Sequence, residues 1–246
     1  MSLNPLAPVT DYQSMLNRVF WFTTVSSIAA IWMLRLYIPA LDGQLDRIDF
    51  SLKFDSERAF PIPASYLLPA LAIGLIARVY RIHARVSDWL EIRECFDLDV
   101  IIAELAERTS IDLSILDEEQ LRARRHSIMR NAFYAFVSPS SPQIDSQLIY
   151  QALDAWSWFW VGVEAALLFV FTGFTLVAAS QYAVGLQTLG ITIAAAGIGL
   201  PLMRSQCERY AIAQVRAILA DPNRASAVRA AFGESHPTAK GFRVAA

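Results

Sequence analysis

Long apolar runs punctuated by short charged stretches set the plan of this chain. From Trp156 to Met203 the side chains are overwhelmingly apolar, with Glu164 the one acidic or basic residue among them and a brief polar break at Gln181 and Tyr182. A soluble core helix seldom stays apolar for so long, whereas crossing a hydrocarbon layer of roughly 30 Å takes about 20 residues. The stretch predicts two membrane helices joined by a tight turn. A second run, Val19 to Ile38, is interrupted by Arg35 and followed by Pro39. A secretory signal would carry basic residues close to Met1 and a small-residue cleavage site after a shorter apolar run. The run therefore reads as a retained first span, with Trp21 and Tyr37 near its ends as interfacial aromatics. Arg35 lies close enough to one end to snorkel toward headgroups. A third run, Ile62 to Tyr80, is bracketed by Pro61, Pro63 and Pro69 and predicts another span, kinked at Pro69.

Between these runs the pattern changes. Residues 40–60 form a charged connector in which Ile48–Phe54 alternates apolar and polar side chains, the period of a short strand or an interfacial segment. From Arg78 to Arg108, Val79, Ile82, Val86, Trp89 or Leu90, Val100, Ile101 and Leu105 recur at three- and four-residue intervals. That spacing predicts the second span running on as an amphipathic helix, then a second helix after a break near Phe96–Asp99. A further helix is expected from about Asp117, with Glu118 and Glu119 in its first turn and arginines later, a polarity that suits the helix dipole. Ser138–Pro142 stops it, and Asp145 is placed to cap a helix entering span three. Beyond span four, Arg204–Ala220 continues as an amphipathic helix up to Asp221-Pro222, and the segment from His236 onward reads as disordered.

The expected fold is an all-α polytopic membrane protein. Four transmembrane helices form two hairpins, and a small helical cytosolic module is inserted between spans two and three. The divisions are 1–18, an N-terminal cytosolic segment; 19–80, the first hairpin, with an external loop at 40–60; 81–154, the module; 155–203, the second hairpin; and 204–246, an amphipathic helix and tail. Basic residues orient it: Arg18 before span one, Arg78, Arg81 and Arg85 after span two, and Arg204, Arg209 and Arg216 after span four. The turn between spans three and four carries none. The positive-inside rule then puts both termini and the module in the cytosol of a cell with an inner membrane.

Composition sharpens the picture. The chain is 55% hydrophobic and 18% charged, against a usual charged share of about 25%. A formal net charge of −2 gives no global support for nucleic-acid binding, so no sequence-specific nucleic acid is expected. Cys95 and Cys207 are too few for a disulfide framework or metal cluster. Lys53 and Lys240 are the only lysines among many arginines and alanines, which fits a GC-rich bacterial source.

Chemistry-bearing motifs are sparse. The sequence has no Gly-rich phosphate loop, HExxH, GxSxG or paired-Cys motif, and His83, His126 and His236 share no ligand spacing. No catalytic residue, metal ligand or cofactor is expected, and the chain reads as non-enzymatic. Asp88, Glu91, Glu94, Asp97 and Asp99 form an acidic run that reads as a solvated helix face. Arg122, Arg124, Arg125 and Arg130 form a basic stripe, a candidate patch for anionic ligands or lipid headgroups, with pairing to the acidic run as the plainer reading. Glu164 and Arg35 are the candidate intramembrane polar residues, since a charge inside a span is costly and usually faces a bundle interior or water. For Glu164 the plainer reading is an interfacial carboxylate, given Trp156, Trp158 and Trp160 just before it. Gly190, Ala194, Ala195 and Gly199 make a small-residue seam suited to helix packing or a subunit contact.

The function expected from this pattern is a membrane sensor or effector. Its cytosolic module binds a protein partner or anionic ligand, and its spans, assembled as a homo-oligomer in the bilayer, carry the response. Two membrane hairpins around a helical module also occur among small bacterial membrane proteins, effectors of antiviral defence among them, although no residue motif carries that analogy. The alternative is a small transporter or channel with Glu164 on its pathway.

Overall fold

A computed structural model describes residues 4, 6–51, 62–113 and 118–233. Every regular element among them is helical. Three helices are long and apolar enough to cross a membrane, or four if one bent pair counts as a single span.

The first, α1 (Tyr12–Tyr37), starts where Asp11 closes a capping box: its carboxylate accepts from the Ser14 backbone N–H at 2.7 Å, and the Ser14 hydroxyl accepts from the Asp11 N–H at 3.0 Å. At 26 residues it is about 39 Å long at 1.5 Å per residue. Ile38 ends it, and Pro39, a residue suited to a first helical turn, opens α2 (Pro39–Ser51). Of the segment Ile48–Phe54, expected as a short strand or an interfacial segment, the part through Ser51 is helical, within α2, and the rest lies outside the described residues.

Helix α3 (Ala64–Val79) passes through Pro69 without interruption. The bend falls later, where Tyr80 and Arg81 separate α3 from α4 (Ile82–Trp89) by 52°, with Arg81 in the left-handed region at φ 51°. The break in this bent pair lies at Tyr80–Arg81, eleven residues beyond the kink expected at Pro69. Packing of α3 on α1 is close at Gly74, where a Cβ would stand 2.5 Å from the Thr24 hydroxyl oxygen. Glycine is the residue that lets the helices approach to that separation.

The two longest helices, α9 (Ser146–Ala178) and α10 (Tyr182–Leu219), make a hairpin. Asp145 accepts from the Gln147 N–H at 2.9 Å at the start of α9. The turn is a left-handed cap: Ser180 has φ 65°, and the Gln181 N–H returns to the Leu176 carbonyl at 2.9 Å. Near the turn the helices cross tightly, because a Cβ on Gly185 would meet the Gly173 carbonyl oxygen at 2.9 Å and the Val177 nitrogen at 2.8 Å. The expected seam at Gly190, Ala194, Ala195 and Gly199 is not the packing surface of this hairpin. Gly190 and Gly199 have nothing within 4 Å of an added Cβ, and Ala194 and Ala195 are exposed. The closest backbone approach within the hairpin is at Gly173 and Gly185, the glycines nearest the turn.

The chain divides into two compact units, residues 1–86 with 153–206 and residues 87–152 with 207–246. Helices α9 and α10 contribute residues to both. In the second unit, α5 (Ile92–Phe96) and α6 (Ala103–Thr109) are joined through a π-helical stretch at Asp97–Ile102, so the break expected near Phe96–Asp99 is a widened turn within a continuous helical rod. Glu91, at φ 51°, starts that rod. A second rod runs α7 (Glu118–Ile128), π-helical Met129–Tyr134 and α8 (Ala135–Val137), and ends before Ser138. The expected start at Asp117 lies outside the described residues. Ile102, Leu105, Ile128, Met129 and Ala132 meet in the core of this unit with Val215 and Ile218 of α10. Val228 and Phe232 of α11 (Pro222–Gly233) complete it. The helix continuing span four ends at Leu219, just before Asp221-Pro222 as expected, and the same pair begins α11: the Asp221 carboxylate accepts from the N–H groups of Asn223 at 2.7 Å and Arg224 at 3.2 Å. The segment from His236 onward lies outside the described residues.

Candidate functional site

Two polar clusters stand out, one in each unit. In the first unit α1 and α9 face each other through charged and hydroxyl side chains. Ser157 and Glu164 are seven residues apart, two helical turns, and so share a face of α9. Tyr12 and Thr23, eleven apart, share a face of α1 by the same arithmetic.

Glu164 is 5% exposed. Its Oε2 accepts from the Thr23 hydroxyl at 2.5 Å, and its Oε1 lies 3.7 Å from His83 Nδ1. The other imidazole nitrogen of His83, Nε2, is 3.4 Å from the Tyr12 hydroxyl, and the Trp160 indole stands edge-on with ring centroids 6.0 Å apart. Thr23 in turn accepts on its carbonyl from Ser27 at 2.8 Å. Glu164 thus turns into the protein. The low dielectric of such a place makes an unpaired charge expensive, and the hydroxyl and imidazole are what offset it.

One layer away, Arg18 is buried. Its guanidinium pairs with Asp154, donates to the Ser157 hydroxyl at 2.8 Å and to the Ala7 carbonyl at 2.9 Å, and lies 5.1 Å from the centre of the Trp158 ring. Arg18 counts in the sequence as a flanking positive charge; in the fold it fastens the segment before α1 to α9. Arg35 is not brought to Glu164. It is held by Asp42 at 2.6 Å, Asp46 at 2.5 Å and the Ser65 hydroxyl at 2.7 Å, with Tyr66 under its guanidinium at 4.5 Å. Those contacts tie α1 to α2 and α3.

In the second unit the basic stripe and the acidic run meet. Arg125 and Asp97 are both buried and pair at 2.8 Å, with Glu94 3.9 Å from the same guanidinium. Arg122 contacts Glu118 at 3.0 Å, Glu94 at 3.2 Å and Glu91 at 3.5 Å. Arg93 donates to the Tyr134 hydroxyl at 3.2 Å. Burial pushes the Asp97 carboxyl up, and nearby Arg93 and Arg125 only partly oppose it. Tyr134 is pushed up by burial and by the Asp97 charge. Asp97 begins one π-helical stretch and Arg125 lies one turn before the other. Such stretches recur where a helix must re-aim side chains. Of the four arginines proposed as an anion patch, Arg122 and Arg125 are therefore largely neutralised by internal carboxylates. Arg130 is exposed, and Arg124 Nη1 is buried without a hydrogen-bond partner.

The pairings missed from the sequence are Thr23, His83 and Tyr12 around Glu164, and Asp154 and Ser157 around Arg18. Helical spacing places each set on a face, but nothing local says which face it meets. Among the described residues no group of three or more His, Cys, Asp or Glu is arranged to hold a metal ion. Cys95 and Cys207 are free thiols, the latter buried.

No curated protein and no solved structure matches the chain. A family match covers it from residue 11 to residue 234, across both clusters and every helix described above from α1 to α11, and the chain belongs to the YmfE protein family.

Proposed function

We propose that this protein is a non-enzymatic membrane sensor or effector. In this reading α1, the bent pair α3–α4, and the apolar parts of α9 and α10 form two hairpins in the inner membrane. Both termini and the second unit lie in the cytosol, where the second unit binds a protein partner or an anionic ligand. The observation that carries the reading is the length of α9 and α10. At 33 and 38 residues they are about 50 and 57 Å long, far more than the roughly 30 Å of a hydrocarbon core. Each reaches from the apolar hairpin into a separately packed helical unit without a break. This covalent continuity is what the reading uses to couple that unit to the spans.

Homo-oligomerisation belongs to the same proposal. Only 6% of the most apolar window of α10 is buried within the chain, against 33% for α1 and 28% for α9, and Gly190, Gly197 and Gly199 have open space beside them within the chain. A small-residue face of that kind suits a second helix at close range. A role in antiviral defence is the biological setting we propose, on the analogy of layout alone.

A second reading, a small transporter or channel, draws support from the burial of Glu164 beside His83. Expression in cells with a potential-sensitive dye separates the two. The sensor reading expects membrane depolarisation that survives Glu164→Gln and is lost on Arg122→Glu, which alters the surface of the second unit. The transporter reading expects the opposite pair of results.

A further inference from the structure

His83 offers its two ring nitrogens to different partners. Nε2 faces the Tyr12 hydroxyl at 3.4 Å and Nδ1 faces Glu164 Oε1 at 3.7 Å. An imidazole can take a proton at one nitrogen while giving one up at the other, which is the property that makes histidine a shuttle. The ends of this chain differ in access: Tyr12 is 44% exposed, His83 6% and Glu164 5%. Water reaches the first of them, and the last is a carboxylate whose charge costs free energy for as long as it stays inside.

We propose that Tyr12, His83 and Glu164 form a proton relay, with Glu164 as its terminal proton-binding site. In one transfer the Tyr12 hydroxyl passes its proton to Nε2 and takes a replacement from water. Nδ1 releases its proton to Oε1, the carboxylate becomes a carboxylic acid, and the imidazole is left neutral as its other tautomer. The net change is one proton gained from solvent and one negative charge removed from the interior. The 3.7 Å gap exceeds a hydrogen bond, so the transfer requires a rotation of the imidazole that shortens it. Thr23 holds Oε2, which leaves Oε1 turned to the histidine.

The charged groups on the surrounding elements have partners of their own. Arg18 of α1 is paired with Asp154 of α9, and Arg78 of α3 donates to Asn17 at 2.6 Å. Arg85 of α4 lies over Tyr80, and α10 carries no charge before Arg204. The inference uses the packing of the first unit alone and does not rest on the sensor reading.

The test is infrared spectroscopy of the full-length protein in lipid, following the stretch of a protonated carboxyl and its shift on hydrogen–deuterium exchange. A carboxyl band that appears on acidification and is missing in Glu164→Gln is expected. In His83→Gln its exchange should slow by about 10²-fold, the low end of what a positioned proton-transfer group contributes. Tyr12→Phe, a change at a half-exposed side chain, should slow exchange as well and decides the matter if His83→Gln does not fold. The proposal is overturned if no Glu164-dependent band appears at any pH where the protein stays folded. It is equally overturned if exchange in the folded His83 or Tyr12 variant is as fast as in the wild type.

Discussion

The Thr23 hydroxyl and the Glu164 carboxylate meet at 2.5 Å, joining α1 to α9 across 141 positions of sequence. A buried carboxylate needs such donors, because each one lost leaves charge facing a medium that cannot solvate it. Thr23→Val keeps the shape and removes the donor. The expected cost is about 1–3 kcal/mol of stability, read as a lower melting temperature in detergent or lipid. The same substitution should cost clearly less in a Glu164→Gln background, and equal costs in both backgrounds would show that the contact carries no coupling.

Asp97 and Arg125 give a contrasting case. Burial outweighs the attraction of the arginines on Asp97, so the pair is a poor net stabiliser but dangerous to break. Arg125→Met alone should destabilise by about 3–5 kcal/mol, whereas Asp97→Leu with Arg125→Met should recover most of that loss. Denaturant unfolding followed on the second unit measures both, and a double variant as unstable as the single one would refute the argument.

Gly185 and Gly190 lie five residues apart on α10 in opposite situations. Gly185→Ala forces the α9–α10 crossing apart and should cost about 1–3 kcal/mol, as overpacking does. Gly190→Ala enters open space within the chain and should leave the protomer's thermal stability unchanged or slightly raised. Melting curves of the two variants side by side check this, and similar losses in both would contradict the packing described.

Asp221 is held below the usual carboxylate range, chiefly by the N–H groups of Arg224 and Asn223 that it caps. A carboxyl whose folded value is depressed adds stability above its unfolded value and loses it as pH falls through the folded one. The docking of α11 should therefore weaken on acidification below about pH 4, the ordinary range of an Asp. Asp221→Asn retains a cap but should remove that part of the acid dependence, visible in hydrogen exchange of α11 amides.

How much of this was legible beforehand follows from which interactions are local. Apolar runs around Ala30, Leu176 and Ile193 announce span-length helices because the length requirement acts within one segment. Capping at Asp145 was legible for the same reason. The helix end at Asp221-Pro222 was legible too, but α11 beyond it was not, because Pro serves equally as a terminator after one helix and as the first residue of the next. The π-helical turn at Asp97–Ile102 adds a residue and shifts the phase of the apolar positions, so it reads as a break in an ordinary helical period. Glu164 drew notice as a lone charge in an apolar run. Its partners His83 and Thr23 carry no mark of their own, since a hydroxyl and an imidazole on helix faces become a site only when distant segments pack.

Cysteine accessibility in intact cells tests the central claim most directly. In a background with Cys95 and Cys207 replaced by Ala, a cysteine is placed at Gln181, in the turn between α9 and α10, or at Ser140, in the second unit. The account predicts that an impermeant thiol reagent labels the Gln181→Cys protein from outside and reaches Ser140→Cys only after the membrane is opened. Labelling of Ser140→Cys in sealed cells, or equal labelling of both with the protein released by an alkaline wash, would contradict it.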